Sequence, residues 1–167
     1  MKHSLSTHYP VRYGGKPVSA HPLQLVPEEL KTEAVCLAAV QKDGNALEFV
    51  PETLKTEAVC LAAVQKVGRV LEFVPEAMRT GTVCLAAVQT NGQALRLVPE
   101  TLKTEALCLA AVKHSRPYEK VLSYVPEALK TEDVCLAALI QDDGAQHYIP
   151  EGLKAKVDVA LKKNFLD

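Results

Sequence analysis

The residues of this chain that could do chemistry recur in columns. Cysteines stand at Cys36, Cys60, Cys84, Cys108 and Cys135. Thiolates could hold zinc, but a structural site needs four ligands converging at about 2.3 Å from one ion. Equivalent positions on stacked helices lie about 8–10 Å apart, beyond shared ligation and beyond the reach of a disulfide. Cysteine is also among the most buried residue types. The column is therefore expected to be core, and an odd number of thiols points to a reducing, cytosol-like compartment. Glutamates form a second column, Glu28, Glu52, Glu76, Glu100, Glu127 and Glu151, each followed three residues later by Lys31, Lys55, Arg79, Lys103, Lys130 or Lys154. An identical carboxylate in every unit defines no unique acid–base site. The paired columns are expected to offset helix dipoles and keep the surface soluble. The series Phe49, Phe73, Leu97, Tyr124, Tyr148 would suit base stacking, yet its leucine and its place just before each Val-Pro step assign it to contacts between units. His3, His8 and His21 lack metal-binding spacing. With no nucleophile–base pair, phosphate loop or CxxC, the expectation is of no enzyme, no metal and no cofactor.

The elements behind these columns follow from the period. Val-Pro-Glu steps begin at Val26, Val50, Val74, Val98 and Val125, with Ile149 opening a last one, so the spacings are 24, 24, 24, 27 and 24. The first two units differ only at Glu29/Thr53, Asp43/Val67, Asn45/Arg69 and Ala46/Val70. A fixed period of this length marks units that bury their apolar faces on one another. In the unit from Val50, Pro51 and Glu52 suit a first helical turn that stops near Lys55. Thr56 is expected to cap a second helix from about Glu57 to Lys66, ended by Gly68 in a left-handed conformation. Strong helix formers in EAVCLAAVQK exclude a leucine-rich repeat, whose strand needs alternation. Val59, Cys60, Leu61, Ala63 and Val64 cover more than half of a helical wheel, the pattern of a helix buried on several sides. The fold class expected is all-α: an α-solenoid, a right-handed superhelix of short two-helix repeats. Residues 1–21 form an N-terminal arm or cap, with a small hairpin around Gly14-Gly15. Residues 22–148 hold five repeats, and residues 149–167 form a C-terminal capping helix.

Composition bounds the function class. Of 167 residues, 48% are hydrophobic and 23% charged, as in a globular domain rather than a disordered tail. A net charge of −1 gives no general pull toward nucleic acid or anionic membrane. No apolar run approaches the roughly 18 residues of a membrane span, and the first twenty residues lack the apolar core of a secretory signal. The pattern CLAAVQKDGNALEFVPETLKTEAVCLAAVQK resembles the bacterial and protist helical repeats grouped as domain of unknown function 4116, over roughly Pro22 to Leu161. Its paired alanines, its glycine and the link between units carry the likeness. Members occur in effector-like proteins of host-associated bacteria, so the resemblance implies an interaction role and no catalytic residues.

The fourth unit departs from the copy. It gains three residues and replaces the glycine region with Lys113-His-Ser-Arg-Pro-Tyr-Glu-Lys120. Insertions in solenoids emerge as loops on one face, often the binding face. The groups His114, Arg116, Tyr118 and Lys120 are of the kind enriched at hot spots; the alternative is a longer turn without a role. Columns that vary between copies, including Asn45/Arg69/Gln93 and Glu48/Glu72/Arg96, are either neutral surface or ligand-reading surface. Together these give the candidate partner-binding residues His114, Arg116, Tyr118, Lys120, Arg69, Gln93 and Arg96. The function expected is a non-enzymatic protein-interaction scaffold, an effector, adaptor or toxin-neutralising protein, with a nucleic-acid-binding repeat protein as the alternative. The expected setting is the cytoplasm or a host cell after translocation. The expected state is a monomer or weak self-associate with a protein partner and no membrane.

Overall fold

A computed structural model describes residues 12–13, 16–17 and 21–166 of the chain. Two short strands, β1 (Arg12–Tyr13) and β2 (Lys16–Pro17), pair antiparallel with Arg12 opposite Pro17, at the place expected for a hairpin. Apart from His21, the rest of the proposed arm, His3 and His8 included, lies outside the described residues.

The helical array is built from six α-helices: α1 (Glu33–Lys42), α2 (Glu57–Lys66), α3 (Gly81–Thr90), α4 (Glu105–Lys113), α5 (Glu132–Gln141) and α6 (Glu151–Leu166). Each packs on the next, so α1 to α6 form one row. Both ends of α2 fall where the sequence puts them, and Thr56 accepts a hydrogen bond from the Val59 amide. The same hydroxyl donates to Glu33 of the preceding unit at 2.8 Å, and Thr80 and Thr131 repeat this stitch to Glu57 and Glu105. One threonine thus caps its own helix and ties it to the one before. The stitch is missing at Thr104, whose partner position holds Gly81.

Each unit contains one α-helix rather than two. The remainder is a six-residue 3-10 helix, Gly68–Phe73 in the second unit, followed by a three-residue 3-10 turn, Glu76–Met78. Proline explains the difference. Val74 precedes Pro75 and is held extended, at φ −80° and ψ 124°. The seven residues between the α2 end and that stop are too few for stable α-turns, so bonds close at i+3, as from Val70 N–H to the Val67 carbonyl. The six-residue segments form a second row, each packed against its own α-helix and the following one.

Gly68 does not end α2 by turning left-handed. It is needed for space: a Cβ there would lie 2.3 Å from the Ala87 carbonyl oxygen of the next unit. Gly44 and Gly92 stand in the same relation to the carbonyls of Ala63 and Ala111, at 2.6 and 2.0 Å. In the fifth unit the glycine register holds Asp143, which is exposed, because α6 begins directly at Glu151 and no comparable carbonyl presses on it.

The core is one continuous cluster. Val59, Cys60, Ala63 and Val64 of α2 are fully buried, as are their copies in α3. Leu61 is only half-buried, so the interior side of the helix is narrower than the wheel suggests. At the first end, His21 acts as a closing group, although the sequence puts it in the arm. Its Nδ1 accepts from the Leu23 amide at 3.1 Å, and its ring stacks on Phe49 with centroids 5.4 Å apart.

Two glycines therefore give opposite expectations. Gly68→Ala should lower stability by about 1–3 kcal/mol, the usual cost of overpacking. Gly81 opens α3 with no atom within 4 Å of its missing Cβ. Gly81→Glu restores the copied residue and the stitch to Thr104, and should raise stability by about 1 kcal/mol. Urea midpoints of the two variants check this; midpoints shifted in the same direction would contradict the packing.

Candidate partner-binding edge

The charged columns do not lie on the surface as a pair. Lys55 keeps only 6% of its side-chain exposure, whereas its partner Glu52 keeps 72%. The same contrast holds for Lys31, Lys103 and Lys130 with Glu28, Glu100 and Glu127. A 3-10 turn eclipses residues three apart, which brings each Nζ to 2.6 Å from its carboxylate. Two members of the column also reach the following 3-10 segment. Lys103 donates to the Tyr124 carbonyl, and Arg79 donates to the carbonyls of Val74 and Leu97 at 3.1 Å each. The basic column is thus largely withdrawn from solvent, and at Arg79 and Lys103 it clamps the following 3-10 segment.

The thiols are buried in all five repeats. Burial raises the Cys60 pKa to about 11, with nearby Lys55 opposing the rise, and moves the other four thiols in the same direction. Cys60 and Cys84 direct Sγ toward the carbonyls of Lys55 and Arg79 at 3.7 Å. Such thiols are small core groups with little thiolate at neutral pH. Among the described residues, no three His, Cys, Asp or Glu side chains gather in a way that could hold a metal ion.

What remains is the edge where the α-helices end and the 3-10 segments begin. Asp43 and Asn91 cap this turn by accepting from the amides of Asn45 and Gln93 at 3.0 Å. The Asn45 backbone amide, with the Asn45 side-chain amide, holds the Asp43 carboxyl below its ordinary pKa. That variable column is therefore neither neutral nor ligand-reading at those two positions; it is a cap. Arg69 continues the edge by donating to Asn45 Oδ1 of the preceding unit at 3.2 Å.

The fourth-unit loop divides the edge into two grooves. One, of about 300 Å³, is lined by Arg69, His114 and Arg116 with Lys66, Thr90 and Asn91. The other, of about 610 Å³, takes Tyr118 and Lys120 together with Leu139, Ile140, His147 and Tyr148. Gln93 is half-buried and Arg96 is exposed on its 3-10 segment; neither lines these grooves. Five of the seven candidates therefore meet at the loop, in two sets.

Tyr118 and Lys120 both have positive φ, 71° and 52°, a region that costs a non-glycine residue about 1 kcal/mol or more. The loop is held there by Asp142, whose carboxylate accepts from the Tyr118 amide at 3.1 Å and from the Gly144 amide at 3.0 Å. The tyrosine side chain is 84% exposed. In the same groove, Ile140 is 53% exposed. Sequence reasoning missed Ile140, and the signal was present: the other units hold Gln41, Gln65, Gln89 and Lys113 at that register.

Residues 33–79 match the family model for a domain of unknown function (DUF4116). The helical repeats resemble that family, over a span narrower than the stretch in which the period recurs. No curated protein and no solved structure matches the chain. The family's description assigns no activity, so the edge has to be read from its own groups.

Asp142→Ala removes the loop anchor at Tyr118 and the cap at Gly144, and should cost about 1–2 kcal/mol. It should also speed amide exchange at Tyr118 and Gly144, whereas Asp143→Ala should leave both amides unchanged. Equal exchange in the two variants would remove the anchoring role.

Proposed function

We propose that the chain is a non-enzymatic protein-interaction scaffold that binds its partner along the turn edge, with Tyr118 and Ile140 as anchors. One observation carries the reading: an exposed tyrosine and an exposed isoleucine line the same groove, and the isoleucine replaces a polar residue of every other copy. Tyrosine is enriched at interface hot spots because it combines apolar area, a polar tip and few rotors. The loop is held by Asp142 and the array beneath it is stitched unit to unit, so little ordering entropy is lost on association. Repetition argues in the same direction. A carboxylate copied in every unit creates no private catalytic pocket, whereas copied helices make a long, stiff support.

Under this reading the protein acts as an adaptor or effector, in a bacterial cytoplasm or within a host cell. The family resemblance supports that setting. No helix among the described residues is long and apolar enough to cross a membrane.

The test is capture of partners from source and candidate host lysates, followed by mass spectrometry, using the full chain and the double variant Tyr118→Ala/Ile140→Gln. Hot-spot truncation costs about 2 kcal/mol or more, so partner recovery should fall roughly 30-fold. Undiminished recovery would remove this edge as the binding surface.

A further inference from the structure

The smaller groove beside the loop has a charge that the fold itself does not use. Its lining includes Lys66, Arg69, His114 and Arg116 and no carboxylate. Basic residues at such an edge have an ordinary purpose, since α-helix C-termini each carry about half a negative charge. The ends of α2 and α3, at Lys66 and Thr90, line this groove, and that of α4 lies beside it. Three ends together amount to roughly −1.5 charges. Lys66, Arg69 and Arg116 supply three positive charges, and α4 brings its own base, Lys113. The two arginines exceed what dipole compensation requires.

Nor are they consumed by ion pairs. Among the described residues, the ion pairs engage His21, Lys31, Lys55, Lys103, Lys130 and Lys154, and none engages Lys66, Arg69 or Arg116. Arg69 is oriented by a neutral acceptor, Asn45 Oδ1, which leaves most of its fork unfilled. Thr90 and Asn91 add a hydroxyl and an amide on the groove wall.

We infer that this groove receives an acidic segment of the partner protein, whose carboxylates pair with Arg69 and Arg116. The inference rests on the scaffold reading and adds the chemistry of what is bound. Arginine forks match carboxylates two bonds at a time. The surroundings decide between an acidic peptide and a nucleic acid. The cationic patch is bounded by acids. Glu119 accepts from the Arg116 backbone amide at 2.8 Å, and Asp43 lies within electrostatic reach of Arg69. Asp142 and Asp143 lie in the neighbouring groove across the loop, and Glu72 is exposed on the 3-10 segment that Gly68 opens. A continuous polyanion would meet those carboxylates, whereas a short acidic stretch spans the cations alone. The groove lining also lacks the aromatic rings on which unpaired bases stack.

The probe is a fluorescein-labelled decapeptide of mixed glutamate and aspartate, followed by anisotropy against the full-length chain at about 20 and 150 mM salt. A single-stranded RNA decamer serves as comparison. Arg69→Gln/Arg116→Gln should weaken peptide binding at least 10-fold. Arg96→Gln, outside the groove, should change it less than 2-fold. A doubly substituted chain whose circular dichroism and melting differ from the parent is replaced by the two single variants, each expected to lose about half of the effect on a logarithmic scale. No peptide binding at low salt, or equal loss in the Arg96 variant, overturns the inference. RNA binding tighter than the peptide's and lost through the same arginines also overturns it. The Tyr118→Ala/Ile140→Gln chain should bind the peptide as the parent does. Failure of the acidic site thus remains distinct from failure of the anchor pair, which partner capture reads separately.

Discussion

The distance between successive units is set by one contact, the press of a glycine turn against a carbonyl of the next α-helix. With Ala87, Ala63 and Ala111 oxygens where a Cβ would stand, Gly68, Gly44 and Gly92 admit no side chain. Close approach of this kind then dictates much else. The helices that meet must be narrow, so alanines and cysteines, not leucines, fill Ala63, Cys60, Ala87 and Cys84. The 3-10 segments must be short, because the next Val-Pro step has to restart the cycle within 24 residues. Where the press is absent, at the fifth unit, the rule lapses: Asp143 sits in the glycine register, Gln146 replaces leucine, and a groove of about 660 Å³ opens toward α6.

Electrostatics serves the same spacing. The lysine of each 3-10 turn is nearly buried with its carboxylate outside, and at Arg79 and Lys103 a bond to a carbonyl of the following 3-10 segment ties the array together. Arg79 shows this best, since it bonds backbone on both sides of the junction. Buried cations that are paired and hydrogen-bonded are tolerated, and they fix register. The residues that first suggest chemistry, thiols and alternating charges, are thus consumed by architecture.

Helix positions were legible because Thr56, Glu57 and the run to Lys66 obey capping and propensity rules that act within ten residues. The left-handed glycine and the solvated lysines were misread for a common reason. A C-terminal glycine looks the same whether it supplies conformation or space, and a lysine three residues after a glutamate looks the same inside or outside an array. Only the neighbour's position separates those cases, and it is not a local property. The candidate site was partly visible, since the insertion at Lys113–Lys120 breaks the copy. Its division into two grooves was not, because it depends on positive φ at Tyr118 and Lys120, residues whose types do not announce that conformation. Ile140 could have been found by asking where a polar column turns apolar.

Function then follows from what the array leaves over: an edge held rigid by its caps, with one apolar pair and one unspent set of cations. All of it presumes that the helices meet tightly enough to keep solvent from the thiols between them. Alkylation of the native chain at pH 8, with peptide mapping over time, tests that presumption most directly. The account predicts that Cys60, Cys84 and Cys108 resist a small alkylating reagent until denaturant unfolds the array, and then react together. Prompt modification of Cys60 or Cys84 in the folded protein, at the rate of a free thiol, would contradict it.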